Sequence, residues 1–323
     1  MTISLQTDAR FQARSCSFCR SDDRRLIFDL KAEQFCSVNW TYSNNYPDVL
    51  QISKDEKFPV DQCGACGFVY ARLLPSSNFL SRVYEDVIDP EECRKGSENL
   101  ESYTRRMAYI AALLTLAPDT RPLRALDFGC GLGVGLRILN AVGVKPVGYD
   151  PSPIRSETSR VAGSTVVNGE SDLRDLAPYD ILICDNVLEH IPEPSKTLEL
   201  LSSVCASGAV LYVSVPSYES DFISLQLNSL KEGLPLDMTL NPWEHLNYFD
   251  LDHLDRLVSR YGFEPIPTCE LPGHVNIGLR PESLLLRRLK NSLASLLRLA
   301  HYAVLGHTSR SVNNAFYRFT GAV

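Results

Sequence analysis

Four sets of residues in this chain have the types and spacing to do chemistry. The first is Asp127-Phe128-Gly129-Cys130-Gly131-Leu132-Gly133, where glycine recurs at every second position. Glycine opens dihedrals closed to other residues and lets a backbone approach a ligand closely. Asp150 stands with this set, since a carboxylate there can accept hydrogen bonds from ribose hydroxyls. The second set is two C-x-x-C pairs, Cys16 with Cys19 and Cys63 with Cys66. Four thiolates converging tetrahedrally make a structural zinc site closed to substrate water. The third is Glu189-His190 and the fourth is His245. Histidine is the natural proton acceptor near neutral pH.

The elements that must position these groups follow from periodicity. Leu123–Phe128 reads as a buried strand and Val134–Val142 as the helix after it, so the glycine run is a strand-to-helix turn. Pro146–Tyr149 is a second strand, closed by Asp150, and a helix begins near Ser152. Strands at Thr165–Val167, Asp180–Cys184 and Ala209–Val215 follow, with a helix over Ser195–Cys205. Asp250 caps a helix with Leu251, Leu254, Leu257 and Val258 inward, ended by Gly262. Phe263–Ile266 and Val275–Leu279 are expected to complete the sheet. Such alternation is the pattern of a wound α/β sheet. Before it, Leu100–Leu116 reads as a helix with Tyr103, Met107, Ile110, Leu113 and Leu114 on its apolar face. The expected division is a cysteine module over 1–78, a helical linker or cap over 79–120, the α/β domain over 121–280 and a helical basic tail over 281–323.

Ligands of such sheets bind beyond the carboxyl ends of the strands. A dinucleotide loop would read G-x-G-x-x-G, but Val134 stands three after Gly131 and Leu136 three after Gly133. The observed D-x-G-x-G-x-G resembles motif I of class I methyltransferases. Gly169-Glu170-Ser171-Asp172-Leu173 resembles their adenine-holding segment, Tyr179 to Ile191 their motif II and its loop, and Gly208 to Pro216 their fifth-strand motif. Glu244-His245-Leu246-Asn247-Tyr248-Phe249 is similar to a segment of bacterial sugar and small-molecule methyltransferases.

The resemblance implies a Rossmann-like, seven-stranded methyltransferase sheet that binds S-adenosylmethionine. The cofactor set it implies is Asp127, Gly129, Gly131, Gly133, Asp150, Glu170, Ser171 and Asn186. His245, His190 and Glu189 are the implied catalytic groups, His245 following the loop Ser217–Pro242, which could cover an acceptor. Glu189-His190 also resembles part of an E-x-x-E-H divalent-metal site of some O-methyltransferases, with Asn186 in place of the first glutamate. The alternative for His190 is to orient the Ile191-Pro192 turn.

The cysteine pairs are 43 residues apart, longer than in a minimal zinc ribbon, so a subdomain must be inserted between the knuckles. A redox pair is disfavoured, because neither C-x-x-C opens a helix after a strand. With Phe58-Pro59-Val60 the module resembles the zinc-binding domain of deoxysugar C-methyltransferases, whose additional carboxy-terminal domain is not matched here. The choice among O-, N- and C-methylation stays open.

Composition narrows the acceptor. A net charge of −7 and a pI near 5.5 count against a nucleic-acid substrate, which needs basic surface. An RNA methyltransferase and a non-enzymatic cofactor-binding scaffold are the alternatives to a small-molecule enzyme acting on a hydroxylated or keto metabolite such as a nucleotide-linked sugar. Met1 to Phe11 does not read as a signal peptide, and ten cysteines without one suggest a reducing, cytoplasmic setting. No apolar run is long enough to span a bilayer. Beyond Pro281, Leu285, Leu289, Leu293, Leu296 and Leu297 form a stripe among basic residues including Arg318. This stripe is expected to pack on the core, form a homodimer contact or touch a membrane surface.

Overall fold

The computed structural model describes residues 10–39, 41–119, 122–152, 159–160, 164–267, 270–271 and 312–321. These form two compact units that are not consecutive in sequence. The first takes residues 1–99, 188–197 and 217–257, and the second takes 100–187, 198–216 and 258–323. Two excursions of the α/β region, 188–197 and 217–257, therefore fold with the cysteine-rich unit.

In chain order the first unit begins with β1 (Phe11–Ala13), β2 (Arg24–Lys31), α1 (Ala32–Cys36) and α2 (Tyr46–Leu50). It continues with β3 (Lys57–Cys63), β4 (Val69–Ala71), β5 (Leu73–Pro75), α3 (Ser77–Arg82) and α4 (Pro90–Ser97). The second unit supplies α5 (Leu100–Leu116), β6 (Arg124–Phe128), α6 (Val134–Ala141), β7 (Lys145–Tyr149), β8 (Thr165–Val167) and α7 (Glu170–Asp175). Then come β9 (Tyr179–Asp185), α8 (Pro194–Ser203), β10 (Cys205–Pro216), α9 (Ser220–Glu232), β11 (Asn247–Tyr248), α10 (Leu251–Ser259), β12 (Phe263–Pro265) and β13 (Val312–Phe319).

The first unit is built on a four-stranded antiparallel sheet in the order β11-β4-β3-β2, with β1 and β5 paired beside it. Its core is aromatic. Trp243 is fully buried and meets Phe35, Phe58 and Phe79 edge-on, at centroid distances of 4.8, 5.3 and 5.3 Å. Edge-to-face contacts match the negative ring face to a positive edge. Asp61 is fully buried, and Arg72 grips it with two hydrogen bonds of 2.6 and 2.5 Å. The segment Ser217–Pro242, expected as a covering loop, instead contains the 13-residue helix α9.

The second unit carries a seven-stranded sheet in the order β12-β13-β10-β9-β6-β7-β8 among the described residues. The five strands from β10 to β8 are parallel, and β13 lies antiparallel between β10 and β12. The strands expected between Leu123 and Ile266 and the helix α5 stand where expected, within a few residues at their ends. The α5 face is shifted, however: Tyr109, Ile110, Ala112, Leu113 and Leu116 are buried, while Met107 is 57% exposed. The tail expected to be helical ends differently, because Val312–Phe319 is a strand. Its seven-residue antiparallel register with β10 extends the sheet. The expected helix after Ser152, the strand Val275–Leu279 and the leucine stripe lie wholly or largely outside the described residues. No helix among the described residues is long and apolar enough to cross a membrane.

Candidate functional site

In the second unit the strand order reverses at β6, with β7 on one side and β9 on the other. The crevice outside such a switch point is where open α/β sheets bind ligands. The glycine run turns there from β6 into α6. Gly129, Gly131 and Gly133 all have positive φ, the left-handed region that glycine alone enters cheaply. Two of them are closed in: a Cβ on Gly129 would meet Val187 at 2.4 Å, and one on Gly133 would meet the Ser159 carbonyl at 2.7 Å. Gly131 differs, since none of the described residues lies within 4 Å of its Cβ position. The loop thus turns bare backbone toward open space at Gly131.

Asp150 follows β7 and is only 5% exposed. Its Oδ2 accepts from the Gly131 amide at 3.1 Å and its Oδ1 from the Ser152 amide at 2.9 Å. Asp127, the last-but-one residue of β6, is buried, and burial pushes its carboxyl up to about 7. Asp185 and Asp150 add to that rise, while Arg106 opposes it. Asn186 ends β9 with a left-handed backbone (φ 56°), and its amide donates to the Ser214 carbonyl at 2.8 Å. Glu170 and Ser171 are exposed and open α7 just beyond β8. All these residues belong to the second unit.

Sequence reasoning missed part of this crevice. Arg105 on α5 clasps Asp185 through two hydrogen bonds of 2.8 Å, and Tyr109 reaches the same carboxylate at 3.4 Å. Burial alone would raise the Asp185 pKa, but the paired guanidinium holds it below the ordinary value. Arg106 lies 3.9 Å from the same carboxylate. The pair is separated by 80 residues, so only the Asp at the end of a predicted strand was a visible signal.

In the first unit Glu189, His190 and His245 come together, with one potential ligand atom from each lying within 4.8 Å of the others. The two imidazole rings meet edge-on at 4.7 Å, and His190 Nε2 is 3.8 Å from Glu189 Oε1. His245 Nδ1 stands 2.6 Å from the Thr239 carbonyl. A carbonyl only accepts, so Nδ1 carries the hydrogen and Nε2 carries the lone pair. Tyr218 donates to that carbonyl as well and lies 3.2 Å from His245 Nδ1. The His245 ring is thus held by Thr239 and Tyr218. Glu244, its neighbour, is directed instead to Tyr42 and Asn241.

The four cysteines also converge in the first unit, their sulfurs within 4.8 Å of one another. Cys16 and Cys66 sulfurs are 3.7 Å apart, and those of Cys19 and Cys63 are 3.5 Å apart. A tetrahedral zinc with bonds of about 2.3 Å needs sulfurs about 3.8 Å apart, so the set fits. The second knuckle is the β3–β4 hairpin turn, closed by Gly67 N donating to Cys63 O at 2.9 Å. Burial works against a thiolate at Cys63, yet the amides of Cys66 and Ala65 and the Cys19 thiol bring it down to about 7. His253 was not singled out by sequence. It donates from Nε2 to the Cys66 carbonyl at 3.0 Å while Asp250 binds its Nδ1.

With this geometry established, comparison with known proteins is decisive at the level of class. The Methyltransferase domain family matches residues 101–268, just over half of the chain, and the chain belongs to that family. Match and sheet order together place it among the class I S-adenosylmethionine-dependent methyltransferases. It is 28% identical over 118 residues to the Ubiquinone biosynthesis O-methyltransferase of Methylococcus capsulatus, across 34% of this chain and 48% of that protein. The protein of the same name from Marinobacter nauticus is 28% identical over 121 residues, across 34% and 49%. The chain spans about half the length of the curated relatives it matches. Among solved structures it is similar to a SAM-dependent methyltransferase from Archaeoglobus fulgidus, at 16% identity and TM-score 0.43 over 75% of this chain and 100% of that one. The plantazolicin methyltransferase BamL, solved with a triazolic desmethylPZN analog and SAH, is 15% identical with TM-score 0.47 over 72% and 91%.

Proposed function

We propose that this chain transfers the methyl group of S-adenosylmethionine to a small hydroxylated or keto metabolite, with a nucleotide-linked sugar the first candidate. The observation that carries the acceptor class is His245, whose Nδ1 is committed to the Thr239 carbonyl so that Nε2 is a lone-pair base. Methyl transfer needs such a base only when the acceptor must lose a proton, as a hydroxyl or an acidic carbon does. Removal of that proton leaves an imidazolium whose Nδ1–H the Thr239 carbonyl already solvates. The name of the curated relatives, an O-methyltransferase of ubiquinone biosynthesis, supports a hydroxyl acceptor. The nucleotide sugar rests on the likeness of the cysteine module and of Glu244–Phe249 to sugar methyltransferases.

On the donor side, Gly131 and the other motif glycines would take the cofactor along bare backbone, and Asp150 would exchange its amide partners for ribose hydroxyls. Asn186, Glu170 and Ser171 would line the adenine end. Arg105, Arg106, Asp127 and Asp185 offer both signs of charge, which suits a zwitterionic amino acid. Cys16, Cys19, Cys63 and Cys66 would hold a structural zinc ion, organising the module expected over residues 1–78.

A second reading of Glu189, His190 and His245 is a divalent-metal site that binds the acceptor hydroxyls. The close approach of two imidazoles and one carboxylate favours it. A backbone carbonyl orienting a ligand histidine is also usual around metals. The RNA reading is opposed by the acidic balance and the scaffold reading by the intact donor loop.

Turnover decides among these. The full chain, incubated with labelled S-adenosylmethionine and separate panels of nucleotide sugars, phenols and RNA, should methylate a small-molecule panel, with product mass spectrometry locating the new methyl group. Methylation of RNA alone would overturn the acceptor class. Activity that chelation abolishes and Mg²⁺ or Mn²⁺ restores would select the metal reading.

A further inference from the structure

Asn247 is fully buried and uses all four of its side-chain hydrogen-bonding positions. Its Oδ1 accepts from Ser17 Oγ at 2.7 Å and from Arg14 Nη2 at 3.2 Å. Its Nδ2 donates to the Leu188 carbonyl at 3.0 Å and to the Ile191 carbonyl at 2.6 Å. The orientation of the amide is unambiguous, because arginine cannot accept and carbonyls cannot donate. The main chain adds to this: the Leu246 and Asn247 amides both donate to the Glu189 carbonyl, at 2.7 and 3.0 Å. Four hydrogen bonds therefore suspend the turn bearing Glu189 and His190 from the two residues that follow His245.

The other end of this network is the first cysteine knuckle. Ser17 lies inside Cys16-x-x-Cys19, and Arg14 stands two residues before it. Arg14 also donates to the carbonyls of Ala71 at 2.9 Å, Pro192 at 3.2 Å and Leu246. Arginine keeps its charge in proteins, and each of these carbonyls is a partner that compensates the part-burial of its guanidinium. All of these residues fold in the first unit.

We propose that Asn247 is a positioning residue through which the cysteine knuckle sets the geometry of His245 and the Glu189–His190 turn. The proposal rests on the reading of that cluster as the acceptor-side chemistry. It gives the thiolate cluster a task within the reaction: whatever holds Cys16 and Cys19 in place also holds Ser17 against Asn247. A displacement of about 1 Å at the histidines is enough to cost about 10²-fold in rate.

The test uses the full chain as wild type, Ser17→Ala, Ser17→Thr and Asn247→Ala. Amide exchange, bound zinc and S-adenosylmethionine affinity are measured in each, and wild type is also treated with a thiol-directed mercurial that strips thiolate metal. Expected results are tenfold or faster exchange at the Leu246 and Asn247 amides in Ser17→Ala, in Asn247→Ala and after the mercurial, with cofactor affinity retained. Turnover should fall about 10²-fold in kcat for Asn247→Ala, with little change in acceptor KM, and Ser17→Thr should recover what Ser17→Ala loses. Exchange at these two amides that stays at the wild-type rate, with changes confined to the knuckles, would overturn the proposal, as would an unchanged kcat in Asn247→Ala. A wild-type chain inactive on every acceptor would instead sink the functional reading, and the exchange measurements would still decide the strut.

Discussion

His245 Nδ1 and the Thr239 carbonyl are 2.6 Å apart, and this contact settles which nitrogen of the ring can take a proton. If Nε2 is the base, His245→Ala should lower turnover about 10²–10⁴-fold while cofactor affinity stays within about twofold. The rate of the wild type should fall on acidification, as Nε2 is protonated, and the variant should lose that acidic limb. A steady-state pH profile checks both. An intact limb in the variant would transfer the role to His190.

The Asp150 carboxylate accepts from the Gly131 amide of the glycine loop and from the Ser152 amide of its own turn. Asp150→Ala should weaken S-adenosylmethionine binding by about 1–3 kcal/mol, the range for losing a charge-assisted contact. Calorimetry with NAD as the control should show no binding of the dinucleotide. Binding of NAD in preference to S-adenosylmethionine would contradict the spacing argument for the glycine loop.

Asp127 should make stability depend on pH. Its folded pKa is raised by burial to about 7 from an ordinary 3.8. The folded state therefore keeps a proton that the unfolded chain releases, and stability from this group is full below pH 3.8 and lost as pH rises through 7. The whole change is at most about 4 kcal/mol. Asp127→Asn should be more stable than wild type at pH 8 and gain less at pH 5. Thermal unfolding at the two values reads the difference; equal gains would refute the assignment.

About one zinc per chain is expected, held by Cys16, Cys19, Cys63 and Cys66. Because four thiolates leave no open coordination position, its loss should soften the first unit before it affects cofactor binding. Cys63→Ser should lose the metal and lower the unfolding temperature of that unit, with S-adenosylmethionine affinity retained. Metal analysis of carefully reduced protein that finds no zinc would remove the site.

Arg72 is the hydrogen-bonding partner of the buried Asp61 carboxylate, and removing it leaves that charge facing only Arg24, at 3.9 Å. Arg72→Ala should cost about 3–5 kcal/mol. Asp61→Asn combined with Arg72→Met should recover most of that loss, as a double-mutant cycle in denaturant would show.

What could be read from the sequence was local in the chain. The D-x-G-x-G-x-G run and Asp150 are separated by one helix and one strand, so strand ends, glycine dihedrals and the carboxylate at the next strand are fixed by short-range sterics and hydrophobic periodicity. The thiolate pairs were legible for a similar reason, since knuckle spacing is a local property even though their convergence is not. The apolar face of α5 was less legible: Met107 fits the stripe by period, but the side of the helix that packs is chosen by the sheet it covers.

The sequence by itself determined the glycine turn, the strands β6 to β10 and β12 with the helices α5, α6, α8 and α10, and the residue types available for chemistry. Tertiary structure alone decided the partners. Arg105 reaches Asp185 across 80 residues, Ser17 reaches Asn247 across 230, and Val312–Phe319 pairs with β10. A hydrogen bond between distant residues imposes no spacing on the chain between them, so it leaves no period to read. The same holds for His245: its residue type offered a base, but only the Thr239 carbonyl, fixed by the folding of 217–257 into the first unit, leaves the lone pair on Nε2.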